Sequence, residues 1–176
     1  ISKDEAQKLL NNIEKSRNNI DKHLEIIKTK AGELSGFDPP AGDINSIFRG
    51  TYQRNGYSVE MHAIHGEGEY IIPLLLFIPE NANNLPAVIY INPEGKITDA
   101  EQGGKIEQIV NKGYIVAAPD LIGLGEVGGN SAGTAPFYES LMIGRSLVGI
   151  QAGDIVRVLK FLEKRPEVNK KSINAV

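Results

Sequence analysis

The sequence predicts an α/β fold with a mixed sheet flanked by helices, and two patterns indicate it. Tyr57–Ile64 and Tyr70–Ile78 are strand-like segments joined by a short glycine-containing connection, which predicts an antiparallel hairpin. Ala87–Ile91 and Tyr114–Ala118 are short apolar runs without polar alternation, typical of strands buried on both faces of a parallel sheet. Helical segments follow both runs, so we expect helical crossovers between parallel strands.

These later helices are recognised by their ends. One is predicted from Asp99 to Lys112, where Gly113 closes it, and another from Phe137 to Lys164, where Pro166 ends it. The apolar segment Ile173–Val176 predicts the opening of one more strand. Strand, helix, strand, helix, strand is therefore the order expected after the hairpin.

The N-terminal region, residues 2 to 31, is predicted to be one long amphipathic helix. Ser2 followed by Glu5 fits a capping box, and Gly32 with Gly36 supplies the stop. We expect the helix to pack against the main body, with dimerisation or a lid over a pocket as alternatives. Its apolar residues recur at helical spacing, at Ala6, Leu9, Leu10, Ile13, Ile20, Leu24 and Ile27.

A linker is predicted between this helix and the sheet. Phe37–Gly50 contains Pro39, Pro40 and Gly42, and the periodicity changes after it. The chain is thus expected to divide into an N-terminal helix and linker, residues 1–50, and an α/β domain, residues 51–176. The sequence starts with Ile1 instead of Met, which suggests a removed leader or tag, or a start inside a longer chain.

Composition excludes several function classes. The 176 residues, 41% of them hydrophobic, can bury one core. A net charge of -3 with scattered lysines and arginines disfavours nucleic acid as a partner. There is no cysteine, which excludes disulfides, thiolate metal sites and a cysteine nucleophile. The longest apolar run, Tyr70–Pro79, is far shorter than the ~18–20 residues that cross a bilayer, so no membrane partner is expected.

Two segments carry a resemblance to a known family. Leu85–Lys96 resembles the strand and oxyanion loop of acetyl xylan esterase-like and dienelactone hydrolase-like enzymes, although Asn92-Pro93 stands where a His-Gly pair usually ends the strand. Gly113–Glu126 resembles the family's next strand and its Asp-x-x-Gly-x-Gly turn, and is the more specific match. The resemblance covers Tyr57 to Val176 and implies an incomplete α/β-hydrolase sheet.

The family mechanism is acyl transfer by a serine, a histidine and an acid, with backbone N–H groups stabilising the oxyanion. Its order places all three triad residues after the strand that begins at Ile173, and no Gly-x-Ser-x-Gly occurs in the 176 residues. Of the family's catalytic groups, only the oxyanion loop can be matched to residues of this chain. Because Pro93 has no N–H, the resemblance implies donors at the backbone of Glu94 or Gly95.

The resemblance therefore implies the N-terminal fragment of a serine carboxylesterase that lacks its nucleophile, acid and histidine. The complete protein would hydrolyse small acyl esters, including acetyl esters of carbohydrates, without a cofactor or metal, and the family suggests a periplasmic or extracellular location. The fragment alone is expected to be inactive. Association with a second copy is expected through the first helix or through the apolar sheet edge that the last strand would expose. The alternative is a noncatalytic binding or assembly module.

A dinucleotide-binding domain is a third hypothesis, because Gly123–Gly128 satisfies Gly-x-Gly-x-x-Gly soon after a strand. A phosphate fingerprint opens directly into a helix, whereas here Gly129, Asn130, Gly133 and Pro136 are expected to prolong a loop.

The serine of Gly144–Gly149 lies in a helical pattern instead of a strand-to-helix elbow. Ser146 is therefore interpreted as structural.

The remaining polar residues are given structural interpretations. His62 and His65 lie three apart on a strand, which places them on opposite faces and prevents both from binding one metal. His23 is expected on the solvated side of the first helix. The resemblance assigns Asp120 to a turn that shapes the pocket, and Asp154 interrupts an inward stripe, which predicts a buried polar contact. Glu94 and Glu101 are expected to be exposed.

Overall fold

The computed structural model describes residues 2–128 and 134–176, the latter range without the side chain of Thr134. Ile1 and residues 129–133, with the predicted loop residues Gly129, Asn130 and Gly133, lie outside it. In the described part of the chain the helices are α1 Lys3–Ser16, α2 Ile20–Ser35, α3 Ile97–Ala100, α4 Lys105–Val110, a short 3₁₀ helix Gly125–Val127, α5 Thr134–Met142 and α6 Leu147–Glu163. The strands are β1 Ser46–Arg54, β2 Tyr57–His65, β3 Ile71–Pro79, β4 Leu85–Ile89, β5 Ile115–Pro119 and β6 Val168–Ala175.

These six strands form one mixed sheet in the order β1-β2-β3-β5-β4-β6. β1, β2, β3 and β5 pair antiparallel in succession, and β4 pairs parallel with both β5 and β6. The predicted hairpin of β2 and β3 is confirmed in a register that joins Tyr57 to Pro79 and His65 to Ile71. The expected mixed α/β sheet, antiparallel first and then parallel, is also confirmed.

Helices cover both faces of the sheet, so each face has its own core. Val158, Phe161 and Leu162 of α6 pack on one face, and Ile106 and Val110 of α4 pack on the other. Because side chains alternate along a strand, a single strand feeds both cores. In β3, Leu74 and Leu76 belong to the first core and Phe77 to the second, so both faces are covered and the sequence of the strand is almost wholly apolar.

The predicted single N-terminal helix is wrong, because two helices occupy this region. The capping box of Ser2 and Glu5 is confirmed at the start of α1, but the chain leaves the helix at Arg17 and begins α2 after Asn19. The side chain of Asn19 accepts a hydrogen bond from the Lys22 N–H, as N-cap residues do. Asparagine competes for backbone hydrogen bonds and so favours a new cap over continuation of the helix.

The expected packing of this region on the main body is found at the C-terminal end of α2. The Ser35 carbonyl accepts hydrogen bonds from the N–H and hydroxyl of Ser146, at 2.9 and 3.0 Å. Gly36 ends α2 in the left-handed conformation, and its carbonyl accepts from Arg145 Nε. No residue of α1 or α2 is buried. His23 is half-buried rather than solvated, since its Nδ1 lies 2.8 Å from the Ser16 hydroxyl and joins the two helices.

Part of the predicted linker is a strand. β1 begins at Ser46 inside the segment Phe37–Gly50 and runs past residue 50, where a bulge shifts its register with β2. Gly50 adopts a φ of 146° at this bulge. β1 is an edge strand with both faces largely exposed, so its sequence lacks the apolar alternation that marks a strand.

Two predicted long helices are each interrupted. The segment Phe137 to Lys164 contains α5 and α6, with Gly144 at a φ of 73° between them and Ser146 as the N-cap of α6. The segment Asp99 to Lys112 contains α3 and α4, separated around Gly103. Gly144 at positive φ turns the chain at the end of α5, whereas α3 ends where Glu101 adopts an extended conformation with a ψ of 162°.

Asp154, on α6, makes the buried polar contact that its position predicts. Its carboxylate is fully buried, accepts the Tyr70 hydroxyl at 2.5 Å and the Ile122 N–H at 3.2 Å, and lies 3.8 Å from Arg157 Nη1. Burial raises the pKa of Asp154, and its hydrogen bonds from Tyr70 and Ile122 oppose that shift. Burial, followed by the Asp154 carboxylate, raises the pKa of Tyr70.

We predict that Tyr70→Phe lowers the free energy of unfolding by about 2 kcal/mol at neutral pH, because a buried carboxylate loses a hydrogen-bond donor. The folded-state pKa of Asp154 lies above its ordinary value of 3.8. The loss should therefore shrink as the pH falls through that folded-state pKa and the carboxyl becomes neutral. Urea titrations at several pH values measure this loss in the free energy of unfolding. Tyr138→Phe is the control, because Tyr138 is 63% exposed, and equal effects of both variants would contradict the prediction.

Candidate functional site

The carboxyl ends of the three parallel strands meet at one edge of the sheet, where ligands bind in open α/β sheets. β4 leads into the loop 92–96 and β5 into the loop 120–128, which contains the 3₁₀ helix. β6 ends beside the first of these loops. The Val176 N–H donates to the Ile89 carbonyl at 3.0 Å, and the Ile91 N–H donates to the Val176 carbonyl at 2.9 Å.

The 92–96 loop is folded around Asn92. Its side-chain oxygen accepts the Glu94 N–H and its carbonyl accepts the Gly95 N–H, both at 2.9 Å. Glu94 is exposed, as expected, and Gly95 is buried. The two backbone N–H groups expected to serve as oxyanion donors are thus at the expected edge of the sheet and are both bonded within their own loop.

Asp99, at the start of α3, fixes the side chain of Asn92 from the other side. Its Oδ2 accepts from Asn92 Nδ2 at 2.5 Å and from the Tyr90 hydroxyl at 2.8 Å. The bond from Tyr90 is the main cause that lowers the pKa of Asp99, while burial and this carboxylate raise the pKa of Tyr90 to about 12. Sequence reasoning did not identify this anchor, because nothing in the spacing of the three residues indicates a contact.

Asp120 connects the two loops. It is 1% exposed, and its carboxylate accepts the N–H of Lys96 at 2.8 Å and the N–H of Glu126 at 3.0 Å. The Lys96 ammonium donates to the same carboxylate at 2.6 Å and to the Glu126 carboxylate at 2.5 Å. Lys96 is 2% exposed, whereas the Glu126 side chain is 54% exposed. The turn assigned to Asp120 is therefore held by a buried lysine that sequence reasoning missed.

Two glycines allow the loops to approach each other. Gly95 has a φ of 98°, and a Cβ there would lie 2.7 Å from the Gly125 Cα. A Cβ on Gly125 would lie 2.4 Å from the Asp120 carboxylate. Neither position has room for a side chain, which is why both must be glycine. The close approach leaves a solvent-open crevice of about 260 Å³ lined by Glu94, Gly95, Ile97, Asp120, Gly125 and Glu126.

The crevice argues against the dinucleotide hypothesis. In a phosphate-binding loop, backbone N–H groups point at the pyrophosphate. Here the Glu126 N–H is taken by the Asp120 carboxylate, which packs against Gly125 where a phosphate would have to approach. Gly128 ends the 3₁₀ helix, and the residues that follow it lie outside the described part of the chain.

Ser146 and the histidines lie apart from the crevice. Ser146 caps α6, where its hydroxyl accepts from the Gly149 N–H at 3.0 Å. His62 is buried and His65 exposed, on opposite faces of β2 as predicted, and His62 Nε2 lies 2.8 Å from a Glu60 oxygen.

Over residues 2–128 and 134–176 no group of three or more histidine, aspartate or glutamate residues could hold a metal ion. In the same ranges no helix is both long enough and apolar enough to cross a membrane.

No protein-family model and no curated protein sequence matches the chain, whereas solved structures do. A structure assigned as an acetyl xylan esterase from Bacteroides fragilis matches with a TM-score of 0.72 and 21% identity, over 88% of this chain and 46% of its own. An acetyl xylan esterase from Paenibacillus sp. R4 matches with a TM-score of 0.58 and 20% identity, over 86% and 50%. A glucuronoyl esterase from Solibacter usitatus matches with a TM-score of 0.55 and 17% identity, over 79% and 47%.

The chain spans about half the length of these structures. At such identities the comparison establishes the fold alone, and this fold is the one that the resemblance implied. The described chain has the α/β-hydrolase-type fold of acetyl xylan esterase-like proteins, over about half of their length.

Proposed function

We propose that the complete protein hydrolyses small acyl esters by serine acyl transfer, with acetyl esters of carbohydrates as the substrate class, and that this chain contributes the oxyanion side of the site. The main support is the position of Val176, which pairs with Ile89 and Ile91 at the edge where the 92–96 loop begins. A residue that followed Val176 would leave the sheet beside that loop. A nucleophile on a strand-to-helix turn has to lie beside the 92–96 loop, so that the ester carbonyl it attacks is close to the oxyanion donors.

The crevice also suits a neutral substrate better than an anionic one. Asp120 and Glu126 carry two negative charges against the single positive charge of Lys96. A free phosphate or carboxylate entering between the loops would meet this excess negative charge at short range and be repelled by it. An uncharged acyl ester would not be repelled in this way, so the charge of the crevice is consistent with an esterase.

The Lys96 and Asp120 pair gives the oxyanion loop a fixed position. Both groups are buried, and transferring either charge from water alone would be costly. Together with two backbone N–H bonds, the pair satisfies the carboxylate and ties the end of the 92–96 loop to the loop after β5. Electrostatic stabilisation of a transition state requires a fixed backbone, and the pair fixes the end of the loop on which the Glu94 and Gly95 donors lie.

A second candidate is a noncatalytic binding or assembly module, favoured by the hydrogen bonds of Glu94 and Gly95. Both N–H groups donate to Asn92, and Pro93 has none. An oxyanion would have to share or displace these bonds. In a noncatalytic module no oxyanion forms, so the hydrogen bonds of Glu94 and Gly95 to Asn92 can stay as they are.

The test is hydrolysis of p-nitrophenyl acetate and of acetylated xylan by the product of the natural coding sequence that contains this chain. We expect activity that disappears when the serine of a Gly-x-Ser-x-Gly motif beyond Val176 is changed to alanine. Ser146→Ala is the matched control, since Ser146 caps α6 away from the crevice, and its kcat should stay within about 2-fold of the parent after correction for the folded fraction.

Absence of hydrolysis in the folded natural product, or activity that survives loss of that serine, would reject the serine esterase proposal. The first result would move the binding-module candidate ahead. The 176-residue chain measured alongside is expected to be inactive, because its sequence contains no Gly-x-Ser-x-Gly.

We predict that Lys96→Met lowers the free energy of unfolding of the 176-residue chain by about 3–5 kcal/mol, because it leaves the buried Asp120 carboxylate without its cation. Lys105→Met is the matched control, since Lys105 pairs with Asp99 at 3.3 Å through a side chain that is 69% exposed. A pair whose lysine is exposed to water should contribute no more than about 1 kcal/mol.

Urea unfolding of both variants, of Asp120→Asn and of Lys96→Met/Asp120→Asn measures the difference. Because the two residues share one contact, the double variant should lose less than the sum of the single losses. Additive losses, or an equal loss from Lys105→Met, would mean that the buried pair does not act as described.

A further inference from the structure

We propose that Glu94 is the oxyanion donor of the 92–96 loop, and that Asp99 is a positioning residue which, through the side chain of Asn92, keeps this donor bonded inside the loop until an oxyanion forms. The inference rests on the proposed function and identifies the residues that control its site. It starts from the different partners of the two candidate donors. The Glu94 N–H donates to the side-chain oxygen of Asn92, whereas the Gly95 N–H donates to the main-chain carbonyl of Asn92, both at 2.9 Å.

Only the Glu94 N–H can be released without moving the backbone. It becomes free when the Asn92 amide rotates about its last torsion, which is a soft one. Releasing the Gly95 N–H requires opening the turn of residues 92–95. Gly95 is buried and packs so closely on the neighbouring loop that a Cβ there would lie 2.7 Å from the Gly125 Cα. Glu94 is exposed and lines the crevice, so the geometry selects it as the donor.

Asp99 determines which end of the Asn92 amide faces Glu94. An amide has an acceptor oxygen on one side and a donor nitrogen on the other, whereas a carboxylate only accepts. Asp99 is 7% exposed and accepts from Asn92 Nδ2 at 2.5 Å. The amide oxygen is therefore directed away from Asp99 and onto the Glu94 N–H. A rotated amide would bring its oxygen against the carboxylate, where two acceptors would repel each other.

The position of Asp99 does not depend on the loop. Its Oδ2 also accepts from the Tyr90 hydroxyl at 2.8 Å, and its Oδ1 lies 3.3 Å from the Lys105 ammonium. The hydrogen bond from Tyr90 is the main cause that holds the pKa of Asp99 below its ordinary value. The carboxylate is therefore ionised at neutral pH and keeps the acceptor that orients Asn92.

The bond between Asn92 and Glu94 is weak enough for an oxyanion to replace it. Hydrogen bonds to a charged oxygen are about twice as strong as those to a neutral one. An oxyanion therefore takes the Glu94 N–H from Asn92, whereas the neutral carbonyl of a bound ester does not. The cost of this exchange falls on the transition state alone, so weakening the Asn92 contact should raise kcat and leave KM unchanged.

The contact can be measured in the 176-residue chain by amide hydrogen exchange with NMR detection, as the ratio of the Glu94 rate to the Gly95 rate. Asp99→Ala removes the acceptor that orients Asn92 and should raise this ratio about 10-fold, the equivalent of one neutral hydrogen bond. Asn92→Ala removes the amide itself and should raise it at least as much. Gly95 is the internal reference, because its bond uses no side chain and because any general loss of stability speeds both amides.

Asp99→Asn separates the hydrogen bond from the charge. Its amide oxygen can still accept from Tyr90 and Asn92, so this conservative variant should return the ratio to within about 2-fold of the parent. Lys105→Met removes the exposed cation beside Asp99 and should also leave the ratio within about 2-fold. Pro93 and Glu94, which set the intrinsic exchange rate of the reporting amide, are unchanged in every variant.

The catalytic consequence is measured with p-nitrophenyl acetate and the product of the natural coding sequence that contains this chain. Asp99→Ala and Asn92→Ala should each raise kcat about 3–10-fold and leave KM within about 2-fold, because the competing bond is lost in both. Asp99→Asn should reverse most of the rise seen in Asp99→Ala.

An exchange ratio that changes in neither Asp99→Ala nor Asn92→Ala, or that rises equally in Asp99→Asn, would overturn the role of Asp99. A kcat that is unchanged or lower in Asp99→Ala, in spite of a raised exchange ratio, would overturn the role of Glu94 as the retained donor. Absence of hydrolysis by the folded natural product would instead reject the proposed function, while the exchange ratio would still decide whether Asp99 keeps Glu94 bonded.

Discussion

The buried carboxylate of Asp120 determines how the carboxyl edge of the sheet is built. It accepts one backbone N–H from each of the two loops and binds the ammonium of Lys96, which reaches Glu126 as well. Removing a carboxylate from water is tolerated only when such partners replace the lost hydration. The loops after β4 and β5 therefore cannot move independently, and the glycines at 95 and 125 follow from the space that this arrangement leaves.

This arrangement also limits the chemistry that the edge can support. The N–H groups of Glu94 and Gly95 are directed into the loop, toward Asn92, and the Lys96 N–H is directed toward Asp120. Stabilising an oxyanion would require one of the Asn92 contacts to be shared or exchanged. That exchange is less costly than moving Lys96, because it breaks one neutral hydrogen bond, the one from Glu94 being exposed, whereas the Lys96 contacts are charged and buried. Glu94 and Gly95 thus remain the better donor candidates within this loop.

The parts of the fold that the sequence predicted are those where one physical signal dominates. The β2–β3 hairpin, the apolar strands β4 and β5, and the capping box at Ser2 each have a local pattern that tertiary contacts do not override. The breaks at Asn19 and Gly144 were missed because apolar spacing continues across them, and β1 was missed because an exposed edge strand has no apolar face.

For the site, the Asp120 turn was recognised by resemblance, while its partner Lys96 was not. A lysine in a polar loop is normally solvated, and only the fold shows that this one is enclosed between two loops. The same reason explains why the groups around Asn92 were not predicted. Contacts between side chains on different elements depend on register and loop closure, which leave no periodic trace in the sequence.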